Sequence, residues 1–220
     1  MTRSATVPAD IVLSYSPVGL RLIDELTGAP PIGNVQATLD ILDANGSWRQ
    51  TDIAGVRTAS DVVTYPGLER HADPTGQQPR QYRVRLAADF YLPYYRASAD
   101  GIPFTAYPFS NTDPPATVVQ TASDTLLVPA PNYPFPSHVR VLRGRVVDAA
   151  NKPVPDAYVT QSNSERALTD SQGSFALPLR WLAANAQASV DAVDERTGRT
   201  GSIQIELPSS LGQGQTIVIS

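Results

Sequence analysis

His71 and His138 are the only imidazoles in this chain of 220 residues. Any mechanism that relies on a histidine pair must therefore bring these two to one place. His71 lies in the polar stretch Glu69-Arg70-His71-Ala72-Asp73-Pro74 and His138 just past a run of prolines, and both are expected as solvated loop residues. A serine nucleophile would call for a Gly-x-Ser-x-Gly elbow, and the chain has none. P-loop, dinucleotide, His-Glu-x-x-His and EF-hand calcium signatures are likewise missing. With no cysteine, disulfides, thiolate metal sites and thiol nucleophiles are excluded. Asp40 with Asp43, and Asp191 with Asp194 and Glu195, have the chemistry of a cation site or a glycosidase pair. Without an apolar pocket to raise a pKa they read better as turn carboxylates in water. No residue is assigned a catalytic, cofactor-binding or metal-binding role, no cofactor is expected, and the chain is not expected to be an enzyme.

Aromatic residues form the remaining candidate site. Tyr91, Tyr94, Tyr95, Phe104, Tyr107, Phe109, Tyr133 and Phe135 fall close together in the sequence and alternate with prolines. Rigid amphipathic rings of this kind suit a protein or carbohydrate interface. The competing reading places them in the core and at a domain junction.

These residues need a scaffold, and composition points to β-structure. The 20 prolines and 14 glycines punctuate short apolar runs, which breaks helices and supplies turns. Basic residues number 17 against 21 acidic, for a net charge of −4, and form no block. Nucleic acid and anionic membranes are therefore not expected as partners. No apolar run approaches the length of a membrane helix. The first residues carry one arginine and no apolar core, so no signal peptide is expected and the chain is read as made in the cytoplasm.

One spaced pattern occurs twice. Arg21-Leu22-Ile23-Asp24 is followed by Pro31 and Val35, and Arg145-Val146-Val147-Asp148 at the same spacing by Pro155 and Val159. Thr51-Asp52-Ile53-Ala54-Gly55 then matches Thr169-Asp170-Ser171-Gln172-Gly173, with about six extra residues between Val35 and Thr51. Each copy predicts a strand ending at the Asp, a turn, and a second strand near the Val. The Thr-Asp-x-x-Gly element predicts a tight turn in which Asp caps backbone N–H groups and Gly takes positive φ. Period-two alternation predicts further strands at Tyr82-Arg83-Val84-Arg85-Leu86, Ser189-Val190-Asp191-Ala192-Val193 and Ile203-Gln204-Ile205-Glu206-Leu207, and Thr216-Ile217-Val218-Ile219 reads as a last strand. A short helix is predicted at Arg180-Trp181-Leu182-Ala183-Ala184-Asn185-Ala186.

The second copy resembles the carboxypeptidase regulatory-like domain, a transthyretin- or prealbumin-like sandwich. The resemblance rests on Gly144-Arg145-Val146-Val147-Asp148, Lys152-Pro153-Val154-Pro155-Asp156-Ala157-Tyr158-Val159 and Leu168-Thr169-Asp170-Ser171-Gln172-Gly173-Ser174-Phe175. It implies an architecture and says little of function, because such modules are attached to many different proteins. The first copy is the weaker match, since Val56-Arg57 stands where an aromatic is expected. The expected organisation is all-β: an N-terminal arm at residues 1–14, a sandwich at 15–127, a stiff Pro-rich linker at 128–138 and a regulatory-like sandwich at 139–220. The two would be immunoglobulin-like or prealbumin-like antiparallel sandwiches in tandem.

The opening Ser16-Pro17-Val18-Gly19-Leu20-Arg21-Leu22-Ile23-Asp24 and the Pro-rich segment loosely resemble accessory structural proteins of phage tails and contractile injection particles. That resemblance implies a structural or adaptor subunit incorporated into a symmetric particle, with protein partners and a homo-oligomeric state. A surface adhesin or carbohydrate-binding module is the first alternative. Intradiol dioxygenases share this general sandwich type and hold iron through two Tyr and two His; nine tyrosines are available here, but the paired-histidine motif of that family is missing, which makes an enzyme of that kind the remotest reading.

Overall fold

The computed structural model describes residues 14–94, 100–112, 114–115, 121–162 and 165–220. Its named elements are strands, apart from one 3₁₀ turn at Ser209–Gly212. In the first part of the chain these are β1 (Gly19–Asp24), β2 (Val35–Leu42), β3 (Trp48–Gln50), β4 (Val56–Arg57), β5 (Val62–Thr64), β6 (Arg80–Ala88), β7 (Tyr91–Pro93), β8 (Ile102–Ala106) and β9 (Ser123–Pro129). The second part contributes β10 (Val141–Asp148), β11 (Tyr158–Gln161), β12 (Glu165–Leu168), β13 (Ser174–Pro178), β14 (Gln187–Asp194), β15 (Arg199–Glu206) and β16 (Gln215–Ile219).

The predicted strands form because their side chains alternate. Along β6, Tyr82, Val84 and Leu86 turn inward and are buried, while Arg83 and Arg85 take the other face. Val190 and Ala192 of β14, and Ile217 and Ile219 of β16, are buried in the same way.

The four sheets run β4-β5-β1-β9-β7, β3-β2-β6-β8, β13-β10-β16 and β12-β11-β14-β15. Each draws its strands from one side of residues 130–140. Strand order recurs between the two sides: β5-β1-β9 matches β13-β10-β16, and β3-β2-β6-β8 matches β12-β11-β14-β15. In both, the opening strand pairs antiparallel with one neighbour and parallel with the other, β1 with β5 and β9, β10 with β13 and β16. The added strands β4 and β7 lie at the edges of the first sheet.

Leu20, Leu22, Leu39, Val63, Val84 and Leu127 fill one core, drawn from both of the first two sheets. Leu142, Val146, Val159, Phe175, Val190, Ile205 and Ile217 fill the other, and no residue belongs to both. Each such side chain contributes roughly 1.5–3 kcal/mol by leaving water, which makes these two clusters the chief stabilising element of the fold.

The repeated residues fall at matching places, with a shift in register. β1 ends at Asp24 and β10 at Asp148, and each carboxylate accepts from the turn that follows: Asp24 from Leu26 N–H at 2.8 Å, Asp148 from Ala150 and Lys152 N–H at 2.9 Å. The hairpins that follow are equally long, since Thr51 bonds Leu39 and Thr169 bonds Ala157, each 12 residues back. The extra residues of the first copy therefore fall before Leu39, most of them lengthening the start of β2, and Val35 is not the counterpart of Val159. The loop before β2 carries Gly33, whose φ of 72° brings it against the Phe90 ring.

At Gly173 the tight turn forms as expected: φ is 70° and Asp170 accepts from Gln172 and Ser174 N–H at 2.8 and 2.9 Å. In the first copy Gly55 is not among the residues of positive φ. It lies instead against the Tyr65 ring, where a Cβ would come within 3.1–3.2 Å.

Two further expectations are corrected. Residues 180–186 form bends and a turn, not a helix. The Glu165 carboxylate takes the Arg180 N–H, and the Arg140 guanidinium takes the carbonyls of Leu182 and Ala183. Those contacts outweigh the weak tendency of two turns to close on themselves. Residues 128–138 are not a bare spacer: β9 runs through Pro129, Val128 and Ala130 are buried, and Tyr133 belongs to the first core with Phe135 packed on it. Of the expected arm at residues 1–14, residues 1–13 lie outside the described residues.

Candidate interface

Burial divides the aromatic residues. Tyr91, Phe109 and Tyr133 retain 1%, 4% and 5% of their exposure, so these three are removed from the candidate surface and belong to the interior. The proline-punctuated pattern marked turns correctly but could not say on which side of a strand a ring would fall. Phe104 is half-buried and stacks on Tyr82 with centroids 5.7 Å apart, and Phe135 is half-buried edge-on to Tyr133 at 4.8 Å. Tyr107 is exposed. Tyr95 lies outside the described residues.

Tyr91 and Tyr133 are in the core for a polar reason as well as an apolar one. Both hydroxyls donate to Oδ2 of buried Asp24, at 3.2 and 2.8 Å. Burial, together with the charge of that carboxylate, raises both phenols above their ordinary pKa. The knot joins the end of β1, β7 and the segment after β9.

Other carboxylates are similarly engaged. Asp40 accepts from Arg83 Nε at 2.8 Å and from Arg85 Nε and Nη2 at 2.7 and 2.9 Å. Its neighbour Asp43 caps the β2–β3 hairpin through Asn45 and Ser47 N–H at 2.9 Å. Asp194 accepts from Thr197 at 2.6 Å and Arg199 at 2.9 Å. Glu69, which the sequence did not single out, stands at a φ of 63° with its side chain 4% exposed. It accepts from the Tyr82 hydroxyl, meets His71 Nε2 at 3.0 Å and has Arg80 at 3.6 Å. His71 is therefore partly buried and hydrogen-bonded, contrary to the expected solvated loop; His138 is exposed. Among the described residues, no three His, Asp or Glu side chains gather as a metal site would require.

Tyr94 leads to a different place. Its hydroxyl donates to Glu195 at 2.9 Å, its ring lies 5.7 Å from that of Tyr158, and the Arg166 guanidinium sits 4.9 Å above it. Arg166 Nε also donates to Glu25, and Arg180 Nη1 donates to the Leu26 carbonyl at 2.7 Å. A cleft of about 30 Å³ between Glu25, Leu26, Pro129, Glu165, Arg166 and Arg180 has room for water.

Among the described residues, the large apolar side chains left exposed are Ile32, Ile53, Val56, Tyr107, Leu126, Trp181 and Val218. Trp181 is the most open at 72%, with the Arg180 guanidinium 5.7 Å from its ring. The expected helix had hidden it in sequence.

No family model matches the chain, and no curated protein matches it. Among solved structures it is similar to the Bacillus anthracis TIE protein, at 12% identity and a TM-score of 0.28, over 93% of this chain and 33% of that one. It is also similar to BcpA, the major pilin subunit of Bacillus cereus, at 8% identity and a TM-score of 0.30, over 92% of this chain and 68% of that one. This chain thus spans about a third of the first of these proteins. Likenesses this slight assign no function.

Proposed function

We propose that this chain is a non-catalytic structural or adaptor subunit that works through protein–protein contacts. The observation that carries the reading is the engagement of its interior ionisable groups. Asp24, Asp40, Glu69, Glu165 and Asp194 are buried, and each is held by hydrogen bonds from its own fold. A carboxylate fixed in this way braces strands and is withheld from a substrate. What faces outward is a β-surface with scattered apolar residues, suited to docking.

Within that class, the reading adopted is a component of a phage tail or phage-tail-like contractile particle, made in the cytoplasm and present in several copies around a symmetry axis. The sequence resemblance of residues 16–24 and of the Pro-rich segment supports it, as does the repeated strand order, which makes the unit suitable for stacking. The carboxypeptidase regulatory-like assignment of residues 139–220 is retained as part of the proposal, on the motif residues and the shared β-sandwich architecture. The test is purification of particles from the native host on a density gradient, followed by mass spectrometry. Recovery of this chain with sheath and tube proteins supports the reading; its absence from intact particles overturns it.

Trp181 favours a second reading, a carbohydrate-binding surface, since a solvent-facing indole is a stacking platform. Glycan-array binding that disappears in Trp181→Ala would establish it.

A further inference from the structure

The two cores share no residue, yet the halves that hold them meet through a set of arginine contacts that neither core requires. Arg166, on β12, donates to Glu25 in the loop after β1, with the two side chains 21% and 26% exposed. Arg180, after β13, donates to the Leu26 carbonyl of that loop and at the same time pairs with Glu165, whose side chain is fully buried. Elsewhere along the junction Tyr94 bonds Glu195, Arg196 bonds Asp100 at 3.1 Å, and Arg143 bonds the Pro131 carbonyl at 2.7 Å. These anchors lie on separate segments of the first half, at residues 25–26, 94, 100 and 131. Contacts so distributed oppose rotation as well as separation.

Arginine suits this role. Its planar fork can hold a carboxylate or carbonyl while its face lies on an aromatic ring, as Arg166 does on Tyr94. Half-buried charges are also screened less by salt than exposed ones. An apolar contribution is also present: Val128 on β9 and Leu168 on β12 are buried without belonging to either core, and these two strands come together across the junction.

We propose that these arginines form a latch that fixes the two halves in one orientation, so that the chain acts as a single strut, and that releasing the latch turns it into two modules on a tether. The proposal concerns how the halves are joined and holds whichever partner the surface binds.

The absence of cysteine makes the test direct. Spin labels placed at Asn45→Cys and Ser202→Cys, both exposed and one in each half, report the distance between halves by double electron–electron resonance. The chain with its latch intact should give one narrow distribution. In Glu25→Ala/Arg166→Ala/Arg196→Ala the distribution should broaden by roughly twofold or more, as for modules joined by a flexible segment. A charge swap, Glu25→Arg with Arg166→Glu, should narrow it again relative to Glu25→Arg alone. Should the triple variant lose its circular dichroism, Tyr94→Phe/Arg196→Ala, which alters partly exposed side chains, must broaden it instead. A distribution already broad with the latch intact overturns the proposal, and so does a narrow one that survives removal of these residues.

Discussion

Tyr133 donates its hydroxyl hydrogen to Asp24 across 2.8 Å, joining residues 109 positions apart. The bond closes the first half, because Tyr133 lies just beyond β9 and Asp24 ends β1. Tyr133→Phe leaves a buried carboxylate short of one donor, and its expected cost is about 1–3 kcal/mol. Tyr107→Phe, at an exposed ring, should stay within about 0.5 kcal/mol. Urea denaturation of the two variants checks the contrast.

Tyr65 supplies the opposite case. Its ring is 1% exposed, and its hydroxyl has no hydrogen-bond partner and no access to water. Removing an unsatisfied buried hydroxyl removes a desolvation cost, so Tyr65→Phe should leave stability unchanged or raise it by about 1–2 kcal/mol. Tyr91→Phe removes a hydroxyl that donates to Asp24 and accepts from Ile32 N–H, and should therefore destabilise. Thermal melts of the pair decide the matter, and a loss in Tyr65→Phe as large as that in Tyr91→Phe contradicts it.

Acid and alkali should act through different residues. Burial alone would raise the pKa of Asp40, but hydrogen bonds from Arg85 and Arg83 outweigh it and hold the carboxyl below its ordinary value. Asp194 is held low in the same way, with Thr197 and Arg199 outweighing burial. A carboxyl depressed on folding contributes stability that is complete above its unfolded value, about pH 4, and is lost as pH falls through the folded value. At the other end, burial and then the Asp40 charge push Tyr65 up to about 12, and burial together with Glu69 raises Tyr82. A phenol raised on folding gives stability that is complete below about pH 10 and declines as pH climbs toward the folded value. Urea midpoints should accordingly be flat from about pH 5 to 9 and fall on both sides. In Asp40→Asn the acid limb should become shallower.

These residues also show what a sequence can display. Asp24 and Asp148 were visible as ends of strands because a strand followed by turn residues has a local signature. The equal hairpins at Thr51 and Thr169 were not visible, because spacing to Pro31 and Val35 imitated a register that pairing of β2 with β3 does not use. Rings at Tyr91 and Tyr133 were legible as aromatic and proline-flanked, but their burial depends on Asp24, far away in the chain. Trp181 was concealed because the helical appearance of residues 180–186 is local, whereas the groups that dissolve it, Arg140 just before β10 and Glu165 on β12, come from elsewhere in the chain. The burial of Glu69 has no local signal beyond the nearby His71, since its other partners Tyr82 and Arg80 arrive on β6.

Glycines at turns test whether close approach or backbone angle matters more. Gly28 and Gly173 have nearly the same φ, 71° and 70°, so an alanine at either carries the same left-handed penalty of about 1–2 kcal/mol. Their surroundings differ. A Cβ at Gly28 would meet nothing within 4 Å, whereas one at Gly173 would come to 2.5 Å from the Val146 carbonyl oxygen and 3.1 Å from the Val154 nitrogen. Both are backbone atoms that no side-chain rotation can move, and Val146 and Val154 belong to the second core. Gly28→Ala should therefore lose about 1 kcal/mol, with much of that recovered in Gly28→Asn, which tolerates the left-handed region. Gly173→Ala should lose at least about twice as much, and Gly173→Asn should recover little of it, because the clash is with the added Cβ and not with the angle. Chemical denaturation of the four variants separates the two contributions, and equal losses at the two positions would show that β10 yields to the intruding carbon.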